Sequence, residues 1–214
     1  MNKQGAIALY ANLASTTKLH RAEQLITDIG TAGFMRLYTG SVPPSPDFAV
    51  TDTLLVTLPL SSVAGVASFA VQTALVTQPG TGGTDGTYAM TFTGGGSGAA
   101  GYYIVHINSV IQAIITGPGA GYTSAPTIGG FGAAGLTGTL IVPVMTGLLT
   151  FNAIGTATAV ASGVAGYARV TTSAGTPIID LDVGVTNASS VVMNQTMVIN
   201  GSSVTCSADV LIEQ

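Results

Sequence analysis

Between Asp52 and Arg169 the chain carries a single charged side chain, Asp85, and this stretch limits the possible folds more than any other. Glycine clusters stand at 80–86 (GTGGTDG), 94–101 (GGGSGAAG), 117–121 (GPGAG) and 129–138 (GGFGAAGLTG). Short β-branched and aromatic runs lie between them: Tyr88 to Thr93, Tyr102 to Ile107, Val110 to Thr116 and Thr139 to Val144. Glycine admits the positive φ of tight turns, so strand-length runs punctuated this way predict a small all-β module.

Elsewhere the composition says what kind of surface the chain can have. Charged residues make up 7% of its 214 residues, against about 25% in an ordinary soluble domain. Low charge argues against disorder, and a net charge of −4 gives little colloidal repulsion. A surface of Thr, Ser, Gly and Ala suits a protein held in a larger assembly. Five basic residues are too few for a nucleic-acid interface. No apolar run of about 18 residues is uninterrupted, so no membrane insertion is expected. The opening MNKQGAIALYANLAS has one Lys and a short apolar patch without a proper signal core, and is expected to be mature sequence. Cys206 stands alone, which excludes an intrachain disulfide; flanked by no base or cation, it is expected to fill core space.

The flanks read differently from the middle. Leu19, Ala22, Leu25, Ile26 and Ile29 recur at helical spacing and Gly30 follows, which predicts one helix over 18–30. FMRLYTG predicts a strand covered on both faces, SVPPSPDFAVT a proline-rich loop, and TLLVTLPLSS a strand ending near Pro59. After residue 146, strands are predicted over 148–154, 165–173, 176–184, 189–201 and 202–213. Asn200-Gly201 is a good hairpin signal and Ala174-Gly175 a weaker one. The expected fold is therefore all-β, a mainly antiparallel sandwich or barrel with one short N-terminal helix. Residues 1–70 and 146–214 would form a discontinuous base, with 71–145 a second β module inserted in one of its loops.

The segment RAEQLITDIGTAGFMRLYTGSVPPSPDFAVTDTLLVTLPLSS resembles the opening of a family of small tailed-phage proteins. In that family a helix leads into an LRIYTG-type strand and a proline loop. GTATAVASGVAGYARVTTSAGTPIIDLDVGVTNASSVVMN resembles the family's closing part, with Tyr167, Arg169, Gly175, Asp180, Val183, Gly184 and Asn194 at matching positions. Tyr167 stands where a Trp is usual and Ala174 where an Asp is usual. The middle resembles a glycine-rich module of phage fibres and other virion proteins, its most specific run being Gly119 to Thr127 (GAGYTSAPT). These resemblances imply a structural role in a virion.

Few residues offer chemistry. His20 and His106 lie far apart with no metal-binding spacing, and His20 is expected at the helix surface. Asp180 and Asp182 fall on one face of a strand, where they could share a cation or act as an acid/base pair. The preferred reading is a solvated strand edge that resists aggregation, with pairing of Asp180 to Arg169 as an alternative. The glycine stretches lack the Lys-Ser/Thr of a phosphate loop, and Asp85 offers only a weak calcium-loop signal. Tyr102, Tyr103 and Tyr122 are candidate glycan contacts, although a role in the core of the insert is preferred.

The expectation is thus a non-enzymatic virion protein with no cofactor and no metal. It would decorate the capsid exterior, contacting the major capsid protein and sister copies as a homotrimer or homodimer. Phe34, Arg36, Tyr38, Pro43, Pro44 and Pro46 are the candidate assembly contacts, and the insert would project outward. The alternative is a tail, collar or fibre component whose insert binds a host-surface glycan.

Overall fold

The computed structural model describes residues 14–212. The apolar patch of the opening segment lies outside the described residues, as does the end of the strand expected over 202–213. In chain order the elements are helix α1 (Ser15–Ile29) and strands β1 (Phe34–Tyr38), β2 (Leu54–Pro59) and β3 (Gly65–Thr81). Next come β4 (Gly86–Ala89), β5 (Thr91–Thr93), β6 (Ser97–His106), β7 (Ser109–Ala120) and β8 (Thr127–Gly129). A 3-10 turn at Phe131–Ala134 leads to β9 (Thr137–Phe151), β10 (Ala157–Thr158), β11 (Gly163–Val164), β12 (Tyr167–Thr171) and β13 (Pro177–Gly184). The chain closes with β14 (Val191–Val192), β15 (Met197–Val198), β16 (Ser203–Val204) and β17 (Ser207–Ile212). The fold is mostly antiparallel β with a single helix among the described residues, as the sequence predicts.

Helix α1 starts before the predicted position because its first turn is tied to the sheet. The Ser15 hydroxyl donates to the Met145 carbonyl at 3.2 Å, and no side chain caps the N-terminus. Gly30 ends the helix at φ 68°, its amide returning to the Ile26 carbonyl. Ala22 and Ile29 enter the core, with Leu25 and Ile26 packed beside them. Gly147 on β9 marks where the helix crosses the sheet, since a Cβ there would strike the Lys18 carbonyl.

The base is an eight-stranded sheet in the order β2-β1-β12-β13-β14-β17-β9-β3, antiparallel except for β13 and β14. Its core face carries Met35, Leu37, Leu55, Leu58, Leu149, Val170 and Val210. Two short ribbons, β10–β16 and β11–β15, bring Ala159, Ala165, Val198 and Val204 against the same core, which gives a sandwich-like arrangement. Asn200-Gly201 does turn, with Gly201 at φ 83°, but joins no hairpin. The strands beside it, β15 and β16, pair instead with β11 and β10. The weaker Ala174-Gly175 signal does mark a hairpin, between β12 and β13.

Strands β3 and β9 pair from Gly65↔Phe151 to Thr81↔Thr137 and carry the chain from the base into the insert. The sequence pattern predicts no strand over 65–81 and splits β9 into two. Both strands serve one core at one end and a second core at the other. β3 also shifts register at Val71/Thr73 and at Val76/Gln78, so period-two alternation is broken along it. In the insert, Ala74, Val76 and Ile141 of this ribbon pack with Met90, Tyr103, Val105, Val110 and Ile128. The opposing layer is the β4-β6-β7 sheet together with the β5–β8 pair. Val71, Tyr122 and Met145 form a third cluster at the junction. There Phe69 and Tyr122 exchange amide-to-carbonyl bonds of 3.0 and 3.3 Å.

Candidate functional site

The face of β1, β12 and β13 turned away from the base core is built in three rows. Cross-strand register aligns Phe34 with Thr171 and Pro177, Arg36 with Arg169 and Asp180, and Tyr38 with Tyr167 and Asp182. Arg36 and Arg169 are direct neighbours, so the one carboxylate between the strands decides which is neutralised. Asp180 takes Arg169 in a two-pronged pair, Nε to Oδ1 and Nη2 to Oδ2 at 2.7 Å each, with both side chains buried. The hydrogen bond to Asp180 raises the Arg169 pKa against the opposing effect of burial. The preferred reading of Asp180 as part of a solvated strand edge is therefore corrected: β13 lies inside the sheet, and the alternative pairing with Arg169 is the one found. Arg36 instead lies over the Phe34 ring, 6.0 Å from its centroid.

This buried pair positions the proline loop between β1 and β2. Arg169 Nη1 donates to the Phe48 carbonyl at 2.9 Å, and the Tyr167 hydroxyl donates to Asp52 at 3.3 Å. Burial and the Asp52 charge push the Tyr167 pKa up to about 12, which keeps this hydroxyl a donor. Thr39 and Thr53 close the neck of the loop with backbone and side-chain bonds. The loop thereby presents Pro44, Val42 and the ring of Phe48 to solvent, with Pro43 and Pro46 half-buried. Tyr38 is corrected as a contact residue: it is buried and stacks on Tyr167 at 5.3 Å, supporting the loop from beneath. Phe34 and Arg36 are half-buried. Sequence reasoning misses Phe48, since an isolated Phe beside prolines carries no signal of its exposure.

A cleft of about 700 Å³ separates the base from the insert. Its floor is Leu148, Val192, Ser207, Asp209 and Leu211, on the side of β9, β14 and β17 opposite the base core. One wall is the glycine-rich end of the β6–β7 hairpin and the other is the loop from Asn187 to Ser190. Among the described residues, Asp209 is the only ionisable side chain lining it. One carboxylate among hydroxyls, amides and aliphatic groups makes a lining that can hydrogen-bond and pack. Nearby Asp182 receives the Ser190 amide at 3.0 Å. Burial raises its pKa, but the bonds from Ser190 and Ser189 outweigh this and hold it below the usual carboxylate value.

In the insert, Tyr103 and Tyr122 are 0% and 2% exposed. The Tyr103 hydroxyl donates to the Gly130 carbonyl at 3.0 Å, and its ring meets Tyr88 and Phe131. Both are corrected as candidate glycan contacts, because a ring inside a core has no free face; Tyr102 is half-buried. The GAGYTSAPT run is a fastening: Gly119 and Gly121 take φ 63° and 73°, and the Gly121 amide donates to the Ser68 hydroxyl of β3. Asp85 pairs with His106 at 3.0 Å on the open surface. His20 lies at the helix surface. Cys206 packs against the base core with its thiol pushed up to about 11 by burial and lies 3.7 Å from the Met35 sulfur. Among the described residues, no three His, Cys, Asp or Glu side chains converge as metal ligands do.

Compared with known proteins, the chain matches no family model, no curated protein and no solved structure.

Proposed function

We propose that this chain is a non-enzymatic structural protein of a tailed-phage virion, decorating the outside of the head with its insert directed outward. The observation that carries the reading is the division of the molecule by β3 and β9. These strands link a base that holds nearly all the charge to a β module whose described surface bears one ion pair. A module of this kind gives bulk and cover, while the base offers the broader surface to a lattice. The exposed Phe48 and Pro44, on a loop fixed by Arg169, are a contact that many symmetric copies could repeat. The resemblance of the two ends of the chain to small phage proteins supports the same reading.

The experiment is a comparison of heads with and without the protein under heat or low salt. Heads lacking it should release their contents at milder conditions, and Phe48→Ala should reduce its binding to bare heads. Equal survival would contradict the cement role. The rival fibre reading has the resemblance of the middle of the chain to a fibre module, but two of the three tyrosines it would use to hold a glycan are buried.

A further inference from the structure

We infer that Arg36 docks a carboxylate of the head protein against which the proline loop sits. This deepens the head-binding reading above and rests on it. Register sets the second row of the outer face, across the sheet, as Thr57, Arg36, Arg169 and Asp180. The row holds two guanidinium groups and one carboxylate, and Asp180 gives both of its oxygens to Arg169. The ion pairs among the described residues are Arg169–Asp180 and His106–Asp85, so Arg36 has no carboxylate within 4.0 Å among them. Other acids of this face are engaged: Asp47 accepts from the Ser45 hydroxyl, Asp52 from Tyr167 and Asp182 from the Ser190 amide.

Like charges directly opposite on neighbouring strands destabilise a sheet. Arg36 beside Arg169 therefore costs the free chain stability that an incoming carboxylate would restore. The half-buried guanidinium is also held in place. It lies over the Phe34 ring, 6.0 Å from the centroid. Its two terminal nitrogens reach the tip of the β12–β13 hairpin, 3.7 and 3.9 Å from where a Cβ on Gly175 would stand. Glycine at that position puts no side chain beside them.

The chemistry of the patch selects the occupant. Arg169 ties the Phe48 carbonyl to the same row, so the exposed Phe48 ring stands on the face that carries Arg36. A planar guanidinium fork matches the two oxygens of a carboxylate. A nucleic-acid backbone needs several cations on one face, whereas here the neighbouring loop carries the exposed carboxylate of Asp47. An Asp or Glu set in apolar ground on a protein surface meets both features, the acid taking Arg36 and the apolar ground taking Phe48. Arginine and aromatic side chains are the usual anchors of such contacts.

The test measures co-sedimentation of the purified full chain with bare heads, for the natural chain, Arg36→Gln and Arg36→Lys. Heads are used as they are and after their exposed carboxylates have been capped as amides with a carbodiimide and ethanolamine. On untreated heads, Arg36→Gln should bind at least about tenfold more weakly than the natural chain. Arg36→Lys should fall between them, because an ammonium keeps the charge and loses the fork. Capping should erase the differences between the three chains, weakening the natural chain most. Unfolding midpoints show which variants fold; should Arg36→Gln not fold, the natural and Arg36→Lys chains on the two kinds of head decide. Equal binding of the variants and the natural chain to untreated heads would overturn the inference and leave the virion reading standing. So would an equal loss in all chains on capping, or an effect of Arg36→Gln on self-association of the chain in place of head binding. If the natural chain does not bind bare heads at all, the virion reading fails and this inference falls with it.

Discussion

The base and the insert are both built of antiparallel strands, yet they are held together by different means. The base layers Leu, Met, Val and Ile from a curled sheet, a helix and two short ribbons, and buries an Arg–carboxylate pair on the sheet's other face. The insert gathers a small core around one buried tyrosine, Tyr103, with glycine turns at its edges, and its one ion pair among the described residues lies in the open. A buried pair fixes geometry at the cost of desolvation, while an exposed one contributes little. Specific electrostatics therefore shape the base, where the proline loop must be held in place. In the insert, shape comes from backbone turns and packing.

The sharpest way to break this contrast is to remove one partner of the buried pair. Arg169→Ala leaves Asp180 buried and unpaired and should cost about 3–5 kcal/mol in denaturant unfolding. A joint change of Arg169 to Met and Asp180 to Leu should recover most of that loss. Failure of the double variant to recover would mean that the hold on Phe48, not charge burial, dominates. In the insert, Tyr103→Phe deletes the bond to the Gly130 carbonyl and should cost about 1–2 kcal/mol, read by hydrogen exchange across 86–136 with the base unaffected. Spread of the loss into β12 and β13 would show that the two cores unfold as one.

Titration should follow the same division. The Tyr167 pKa is raised from 10.0 to about 12 in the folded chain, so its contribution is complete below pH 10 and lost as pH rises towards 12. Tyr167→Phe should flatten that alkaline decline, measured as the unfolding midpoint against pH. Asp182 has the opposite sign: its lowered value stabilises the fold above about pH 4 and is lost as pH falls through the folded pKa. The smallest effect is expected at Asp85→Asn, below about 1 kcal/mol, because its partner His106 is well exposed.

How much could be read beforehand also divides along these lines. Helix α1 declared itself through five apolar positions and Gly30, and the β12–β13 hairpin through Ala174-Gly175. β3 did not, because a strand that bends at two register shifts and serves two cores keeps no single alternation. The β6–β7 turn was equally hidden: Ile107 and Asn108 adopt φ 51° and 62°, a conformation that Asn-Gly signals and Ile does not. Of the site, Arg169–Asp180 was visible only as one option. Its choice depends on register, which places Arg36 and Arg169 side by side with one acid available. The burial of Tyr103 and Tyr122 matches the core role preferred from the sequence; Tyr103 is buried from β6, while Tyr122 lies between β7 and β8 and is held by its bridge to Phe69.

The most direct test of the virion assignment is gold-labelled antibody imaging of intact particles, with antibody raised against residues 80–140. Label distributed over the head is the predicted result and would place the insert on the outer surface. Label confined to the neck or tail, or particles left unlabelled, would contradict it.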